Sequence, residues 1–232
     1  MQKHEQASGQ GINLSKTSVL CSKGVKATKR NRISLCLNIR EVLSYDKYLG
    51  VPTFIGRYKK KPFLYIVDRS KGRLSGWMDR LVSWAGREVL IKDVAQAIPT
   101  FAMSVFLFTK DLCHTIQATI NKFWWGHESE ERKIHWVKRD TLCQRKEIGG
   151  MGFREMDVFN KALLAKQFWR LLKDDSSLVA RLLNARYYPN CDIFDVVLGP
   201  QPSYSWRSIL SAKSLVESGS HWLVGNGASL DI

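Results

Sequence analysis

The chain has 232 residues, and its 44% hydrophobic content, with eight tryptophans, excludes a disordered tail. Five widely spaced cysteines without a CxxC pair argue against the disulfide framework of a secreted protein. The longest nearly apolar run, 97–108, is too short to span a bilayer, and residues 1–10 contain no apolar segment typical of a secretory signal. We therefore expect an intracellular protein without a membrane partner.

The positive charge is concentrated in the first third of the chain. The whole chain carries 36 Lys and Arg against 21 Asp and Glu, a formal net charge of +15. Residues 1–75 hold 16 of the basic and 4 of the acidic residues, so residues 76–232 are almost balanced. This asymmetry predicts a polyanionic partner for the N-terminal part, with a merely soluble basic surface as the alternative.

The N-terminal part has the pattern of short β elements. Two glycines followed by alternating residues over 7–20 predict a turn that leads into a strand. Residues 28–39 have a helical look, but their apolar spacing leaves helix and strand open. Residues 48–56 are β-prone and interrupted by Gly50 and Pro52, which predicts a short or edge strand.

From Phe63 the apolar spacing becomes helical. Trp77, Leu81 and Trp84 continue one stripe at intervals of three and four residues. Pro99 should end or kink the helix that reaches it, because proline offers no N–H and clashes one turn back. A further helix is predicted from Asp111 to about Trp125, since an acidic residue suits the first turn of a helix.

Two amphipathic helices are predicted further along, over 158–173 and 177–188. They follow a charged loop at 126–136 and a glycine-rich loop at 144–157, and periodicity is lost after Asn190. The sequence therefore predicts a mainly α fold with a small β portion confined to about the first 65 residues, an α+β chain.

Three motifs contain residue types that can form a chemical site. The adjacent aspartates Asp174 and Asp175 could hold metal ions, but they stand between a helix and a Ser-Ser pair, which favours a helix cap. Cys113-His114 has no second pair at zinc spacing, which favours ordinary helix residues. The glycines of 148–153 predict a flexible turn, with a phosphate cradle as the weaker alternative. GxSxG, HExxH and P-loop motifs do not occur.

One basic run has the composition of a nucleic-acid contact. Its cations can neutralise phosphates with release of counterions, and the interleaved aromatic residues Tyr58, Phe63 and Tyr65 can stack on bases or sugars. A solvated basic loop is the alternative. The seven cations lie within 17 residues: Arg57, Lys59, Lys60, Lys61, Arg69, Lys71 and Arg73.

Seven segments resemble, in chain order, the reverse transcriptase polyproteins of plant long interspersed (non-LTR) retrotransposons. The resemblance covers nearly the whole chain. The segments are SGQGINLSKT, KYLGVPTFIGRYKKKPF, GWMDRLVSWAGREVLIKDVAQAIPTFAMSVF, INKFWWG, RKIHWV, GGMGFREMDVFNKALLAKQFWRLL and PSYSWRSIL.

The resemblance implies three parts: a palm remnant with a primer-steadying hairpin over 1–66, a helical thumb over 67–125, and a helical connecting region over 126–232 that is truncated at its C-terminus. Lys16 resembles the lysine that assists pyrophosphate release in such polymerases. Tyr48, Leu49 and Gly50 resemble the hairpin that steadies the primer end, and together with Lys47 they are expected to contact nucleic acid.

The aromatic-x-Asp-Asp catalytic turn of the family does not occur in this sequence. We therefore expect a fragment without catalytic residues, metal ligands or a cofactor of its own, although the parent polymerase would use Mg²⁺. Its expected activity is sequence-independent binding to an RNA–DNA hybrid or duplex, and the missing polymerase domains are a further expected partner. A nuclear location is implied. The alternative is a non-catalytic helical structural or protein-interaction domain.

Overall fold

The computed structural model describes residues 11, 13, 17–22, 24–42, 47–48, 50–52, 55, 59–78, 82–126 and 136–221. The chain divides into two compact units, Met1–Gly56 and Arg57–Ile232. The division into palm remnant, thumb and connecting region stays a prediction. Across the part of the chain that the structure describes, every helix is too short or too polar to cross a bilayer.

The first unit contains a short parallel strand pair joined by a helix. Strand β1 (Ser18–Leu20) pairs with β2 (Arg40–Val42), and helix α1 (Ala27–Leu37) connects them. The helix ends because Asn38 takes the left-handed conformation, with φ of 50°, which asparagine tolerates better than most residues. The strand predicted to end at residue 20 is confirmed, and the open choice over 28–39 resolves into a helix.

The first unit also contains a short antiparallel strand pair. Strand β3 (Lys47–Tyr48) runs antiparallel to β4 (Val51–Pro52), with Tyr48 opposite Val51. Gly50 lies in the turn with φ of +80°, a conformation that glycine adopts without steric cost. The β structure predicted over 48–56 is confirmed, although as parts of two short strands and not as one. All strands of the described residues lie in the first unit, so the predicted fold class is confirmed as well.

The second unit is helical in its described part. Its α-helices are α2 (Leu64–Met78), α3 (Trp84–Leu90), α4 (Thr100–Met103), α5 (Lys110–Trp124), α6 (Arg139–Cys143), α7 (Met156–Lys173), α8 (Leu178–Tyr187), α9 (Tyr204–Leu210) and α10 (Lys213–Gly219). Short 3₁₀ turns cover Lys61–Phe63 and Lys146–Ile148, and a π-helical turn covers Ile91–Ala95.

Helix α5 packs along α2 and also contacts α3. The Thr109 hydroxyl caps it by accepting the N–H of Leu112 at 3.3 Å, and Asp111 lies in the first turn. The predicted helix from Asp111 to about Trp125 is thus confirmed to within a residue. Its buried face follows a spacing of four, four and three residues: Leu112, Ile116, Ile120 and Phe123.

The helical stripe predicted through Trp84 is interrupted. Leu81 lies outside the described residues, and Trp84 begins the separate helix α3 with 55% of its surface exposed. Helix α3 widens into the π-helical turn, and Pro99 stands directly before α4. The break at Pro99 is therefore confirmed, whereas the buried position of Trp84 implied by the stripe is wrong.

Helix α7 is the central helix of the second unit, and it contacts α4, α5, α9 and α10. The amphipathic helix predicted over 158–173 is confirmed: Leu164, Phe168 and Leu171 of its apolar stripe are buried, and Leu163 and Leu172 are half-buried. Asn160 lies on the same face, with 1% of its surface exposed. Its side chain accepts the N–H of Phe108 at 2.7 Å and donates to two backbone carbonyls, which fixes the loop after α4 on α7.

The segment after Asn190 contains two helices that the periodicity did not predict, α9 and α10. Each has seven residues, which is fewer than two turns, so a repeating apolar pattern cannot develop. Trp206 of α9 is fully buried and stacks on Tyr187 and Tyr188, with ring centres 5.0 and 5.6 Å away. This aromatic packing holds α9 against the end of α8, and no local sequence pattern predicts it.

Candidate nucleic-acid interface

The basic turn that leads into α2 is fixed to the helical unit. Phe63 is fully buried, with its ring centre 4.8 Å from that of Phe108, so the prediction that it stacks on a base or sugar is wrong. The Nζ atom of Lys60 lies 2.6 Å from the Asp111 carboxylate, and that of Lys59 lies 5.5 Å from the ring centre of Tyr204. Two of the three consecutive lysines of this turn thus already have partners in the protein.

The third lysine of the turn, Lys61, is exposed. The pair of Lys60 with Asp111 is also largely solvent-accessible, so it stabilises the fold by only about 0–1 kcal/mol. A strong polyanion could therefore compete for Lys60. Lys61 can bind a phosphate without such a replacement of a protein carboxylate.

Helix α2 presents one exposed face with two arginines and two glycines. Arg69, Gly72, Arg73 and Gly76 follow a spacing of three, one and three residues, which places them on the same side of the helix. All four are exposed. Lys71 is two residues from each arginine, hence roughly 160° around the helix. The structure therefore brings Arg69 and Arg73 together and places Lys71 elsewhere.

The opposite face of α2 is buried against the helical unit. Ile66, Val67 and Leu74 are almost fully covered, and Ser70 lies between them. Because these residues fix the rotation of the helix, the arginine-glycine face must point to solvent. The helix is thus a rigid support for the exposed cations.

No packing contact requires the two glycines of this face. A Cβ atom at Gly72 or Gly76 would meet nothing within 4 Å, and both residues have ordinary helical conformation. Each nevertheless lowers helix stability by up to about 1 kcal/mol relative to alanine. Among the described residues, none forms an ion pair with Arg69 or Arg73. The face therefore combines unpaired cations with open access to the helix backbone.

The other predicted contact residues are divided between the first unit and the undescribed positions. Lys47 and Tyr48 form strand β3, and Gly50 is in the turn after it. Three predicted residues lie outside the described residues: Lys16, Leu49 and Arg57.

The glycine loop at 148–153 is held by its own hydrogen bonds. Gly149 and Gly152 have φ of +86° and +67°, and a Cβ at Gly150 would lie 2.1 Å from the carbonyl oxygen of Gln144. The N–H groups of Gly150 and Gly152 donate to the carbonyls of Arg145 and Gln144 at 3.0 and 2.8 Å. These N–H groups are not free to bind a phosphate, so the cradle alternative is wrong.

Asp174 of the aspartate pair takes part in a helix cap, as the sequence predicts. One Asp174 carboxylate oxygen accepts the Ser176 hydroxyl at 2.7 Å and the Ser177 N–H at 3.1 Å. The Ser177 hydroxyl in turn caps α8 by accepting the N–H of Ala180. Asp174 is therefore engaged at a helix start.

Cys113 and His114 point to different sides of α5, because Cys113 is buried and His114 is exposed. Burial raises the pKa of the Cys113 thiol to about 11. Within the described ranges, no three His, Cys, Asp or Glu side chains lie close enough together to share a metal ion.

The comparisons with known proteins connect this chain to plant proteins. No protein-family model matches it. The "Uncharacterized mitochondrial protein AtMg00310" of Arabidopsis thaliana is 41% identical over 132 residues, which are 56% of this chain and 86% of that protein. The chain belongs to the AtMg00310 family.

A second protein similar to this chain is much longer. The "Putative ribonuclease H protein At1g65750" of Arabidopsis thaliana is 33% identical over 183 residues, which cover 78% of this chain. The match spans only 30% of the length of that relative. The similarity therefore concerns one part of a larger protein.

Proposed function

We propose that this chain corresponds to the thumb and connecting region of a plant non-LTR retrotransposon reverse transcriptase and binds the backbone of an RNA–DNA hybrid or duplex without reading its sequence. The exposed arginine-glycine face of α2 is the observation that carries this proposal. The second relative, named a ribonuclease H protein, supports nucleic acid as the partner.

The chemistry of the α2 face suits a phosphate backbone. Arg69 and Arg73 are one helical turn apart, roughly 6 Å along the axis, so both can reach one stretch of a strand. Guanidinium groups match phosphate oxygens in a bidentate geometry. Gly72 and Gly76 lie on the same face and have no side chain, so that strand can approach the helix closely. Such contacts position a duplex and carry no sequence information.

The proposal assigns no catalytic step to this chain. The aromatic-x-Asp-Asp motif is absent from the sequence, and the carboxylate of Asp174 already accepts two hydrogen bonds at the start of α8. The Mg²⁺ of the parent polymerase therefore finds no fitting ligand set at this aspartate pair. We propose the catalytic domains of such a polymerase as a further partner. The nuclear location stays a prediction, and mitochondria appear only in the name of the first relative.

The proposal is tested by the affinity of the full chain for a fluorescently labelled RNA–DNA hybrid. Arg69→Gln with Arg73→Gln should lower the affinity about tenfold or more, because two charge-assisted contacts are lost. The matched control is Lys161→Gln with Lys166→Gln, which removes the same charge from exposed positions on α7. An equal loss in both double variants, or no loss in either, contradicts the proposal.

The alternative, a helical protein-interaction domain, is favoured by one feature of α8. Leu178, Val179 and Leu182 are exposed to 79%, 56% and 65% on a single helix face. This alternative predicts that Leu178→Ser with Leu182→Ser changes the association state or the bound proteins of the chain. It also predicts that the α2 arginines are dispensable for every activity, which the hybrid titration checks directly.

A further inference from the structure

Trp84 is a large apolar side chain that the fold leaves on the surface. It is the first residue of α3, and 55% of its surface is exposed. The helix start is itself satisfied, because the Ser83 hydroxyl accepts the N–H of Gly86 at 3.2 Å. Burying an indole is strongly favourable, so an exposed indole that neighbouring side chains hold in place can gain free energy by contacting a ligand.

The indole of Trp84 is held in place by its neighbours. The rings of Trp124 and Trp125 lie 5.1 and 6.2 Å away and are steeply inclined to it. The guanidinium carbon of Arg87 lies over the Trp84 ring, 5.2 Å from its centre. Arg87 is fixed in turn, because it donates to the carbonyl of Trp124 at the end of α5 at 3.2 Å. A ligand that stacks on this ring therefore need not order it first.

Two lysines gather around Glu88, a carboxylate one turn further along α3. Glu88 follows Trp84 by four residues, and its carboxylate pairs with Lys92 at 2.8 Å and Lys146 at 2.6 Å. Two lysines share one carboxylate, so the cluster keeps one positive charge in excess. Lys146 is 61% exposed. Trp84 and Glu88 are four residues apart, about 6 Å along the helix axis and on the same side of α3, so the lysines at Glu88 gather on the side that carries Trp84.

We infer that Trp84 and Lys146 form a binding site for an unpaired nucleotide of a single-stranded nucleic acid. The base stacks on the exposed surface of the Trp84 indole, and the phosphate pairs with Lys146 in place of Glu88. Stacking on aromatic rings tolerates every base, so the site has no strong sequence preference. This inference does not rest on the proposed duplex contact of α2, since none of its residues belongs to that face.

The first test measures the affinity of the full chain for a labelled oligodeoxythymidylate by fluorescence anisotropy. Trp84→Ala should weaken binding about 5- to 150-fold, the range of one lost base stack. Trp84→Phe should retain most of the affinity, because phenylalanine keeps an aromatic face. The matched control is Trp169→Ala, which removes another exposed tryptophan that has a lysine, Lys173, over its ring. The control should bind like the unchanged chain.

A second measurement keeps the test valid if Trp84→Ala does not fold. The unchanged chain is titrated with an abasic oligonucleotide of the same length and charge, which should bind about 5- to 150-fold more weakly than the oligodeoxythymidylate. Equal affinity for the two probes overturns the inference, as does an equal loss for Trp84→Ala and Trp169→Ala. Absence of binding to either probe, with Trp84 needed instead for a protein partner, overturns it as well.

The two sites can fail separately. If Arg69→Gln with Arg73→Gln weakens binding of the hybrid and leaves the single strand unaffected, the α2 face and the Trp84 site act independently, as inferred. Loss of hybrid and single-strand affinity to the same extent in this variant contradicts the assignment of a separate Trp84 site.

Discussion

Replacing Gly72 and Gly76 by alanine separates a structural role of the α2 face from a binding role. Both substitutions add a methyl group to an exposed helix interior where nothing lies within 4 Å. Each should stabilise the helix by about 0.5–1 kcal/mol, because alanine has the higher helix propensity and reduces the entropy of the unfolded chain. The two effects should add to about 1–2 kcal/mol, since the residues share no partner.

For a chain of this size, each kcal/mol raises the melting temperature by about 2–4 °C, so the double variant should melt about 2–8 °C higher. Its affinity for an RNA–DNA hybrid should fall by several-fold, because the two methyl groups hold a strand away from Arg69 and Arg73. Thermal unfolding followed by circular dichroism and hybrid binding by fluorescence anisotropy give the two quantities. A gain in stability together with a loss of binding is the expected result.

The matched control is Ser75→Ala, which raises helix propensity on another side of α2. It should leave hybrid affinity unchanged. If the glycine double variant is more stable and binds the hybrid as tightly as before, no strand approaches these glycines. If the double variant is less stable, the added methyl groups clash with neighbouring atoms, and the conclusion that Gly72 and Gly76 have open surroundings is wrong.

Three further predictions concern the second unit. Gly150→Ala should lower the unfolding free energy by about 3 kcal/mol or more, because its Cβ would lie 2.1 Å from a backbone oxygen; an unchanged urea midpoint would refute the tight loop. Asn160→Asp should lower it by about 3 kcal/mol, because two carbonyls lose their donor and face a buried charge; a change below 1 kcal/mol in the same urea titration would refute the network. Cys113, with a pKa of about 11, should be alkylated far more slowly at pH 8 than the exposed Cys36, and comparable rates by mass spectrometry would refute its burial.

The long amphipathic helices could be predicted from the sequence because their signals are local. Helix α5 has fifteen residues, a polar cap at Thr109 and apolar residues at intervals of three and four. Helix α7 shows the same regularity over eighteen residues. In both cases the buried stripe follows directly from the helical repeat. The seven-residue helices α9 and α10 give no such repeat, and α9 is held by the packing of the buried Trp206.

The candidate site was only partly predictable, because composition counts cations without showing their partners. Asp111 follows Lys60 by 51 residues, so no local pattern reveals their ion pair. The separation of Lys71 from Arg69 and Arg73, by contrast, follows from the helical repeat alone. The exposure of Trp84 could not be predicted, because the apolar spacing continues through this residue, whereas the chain begins a new helix there.

The central claim is that Arg69 and Arg73 contact the phosphates of a bound hybrid, and the salt dependence of binding tests it most directly. The logarithm of the association constant is measured against the logarithm of the salt concentration between roughly 50 and 200 mM for the unchanged chain and for Arg69→Gln with Arg73→Gln. Each phosphate contact contributes just under one to the slope, so the double variant should show a slope shallower by about two. A slope that is flat for the unchanged chain, or identical in the two proteins, contradicts the account.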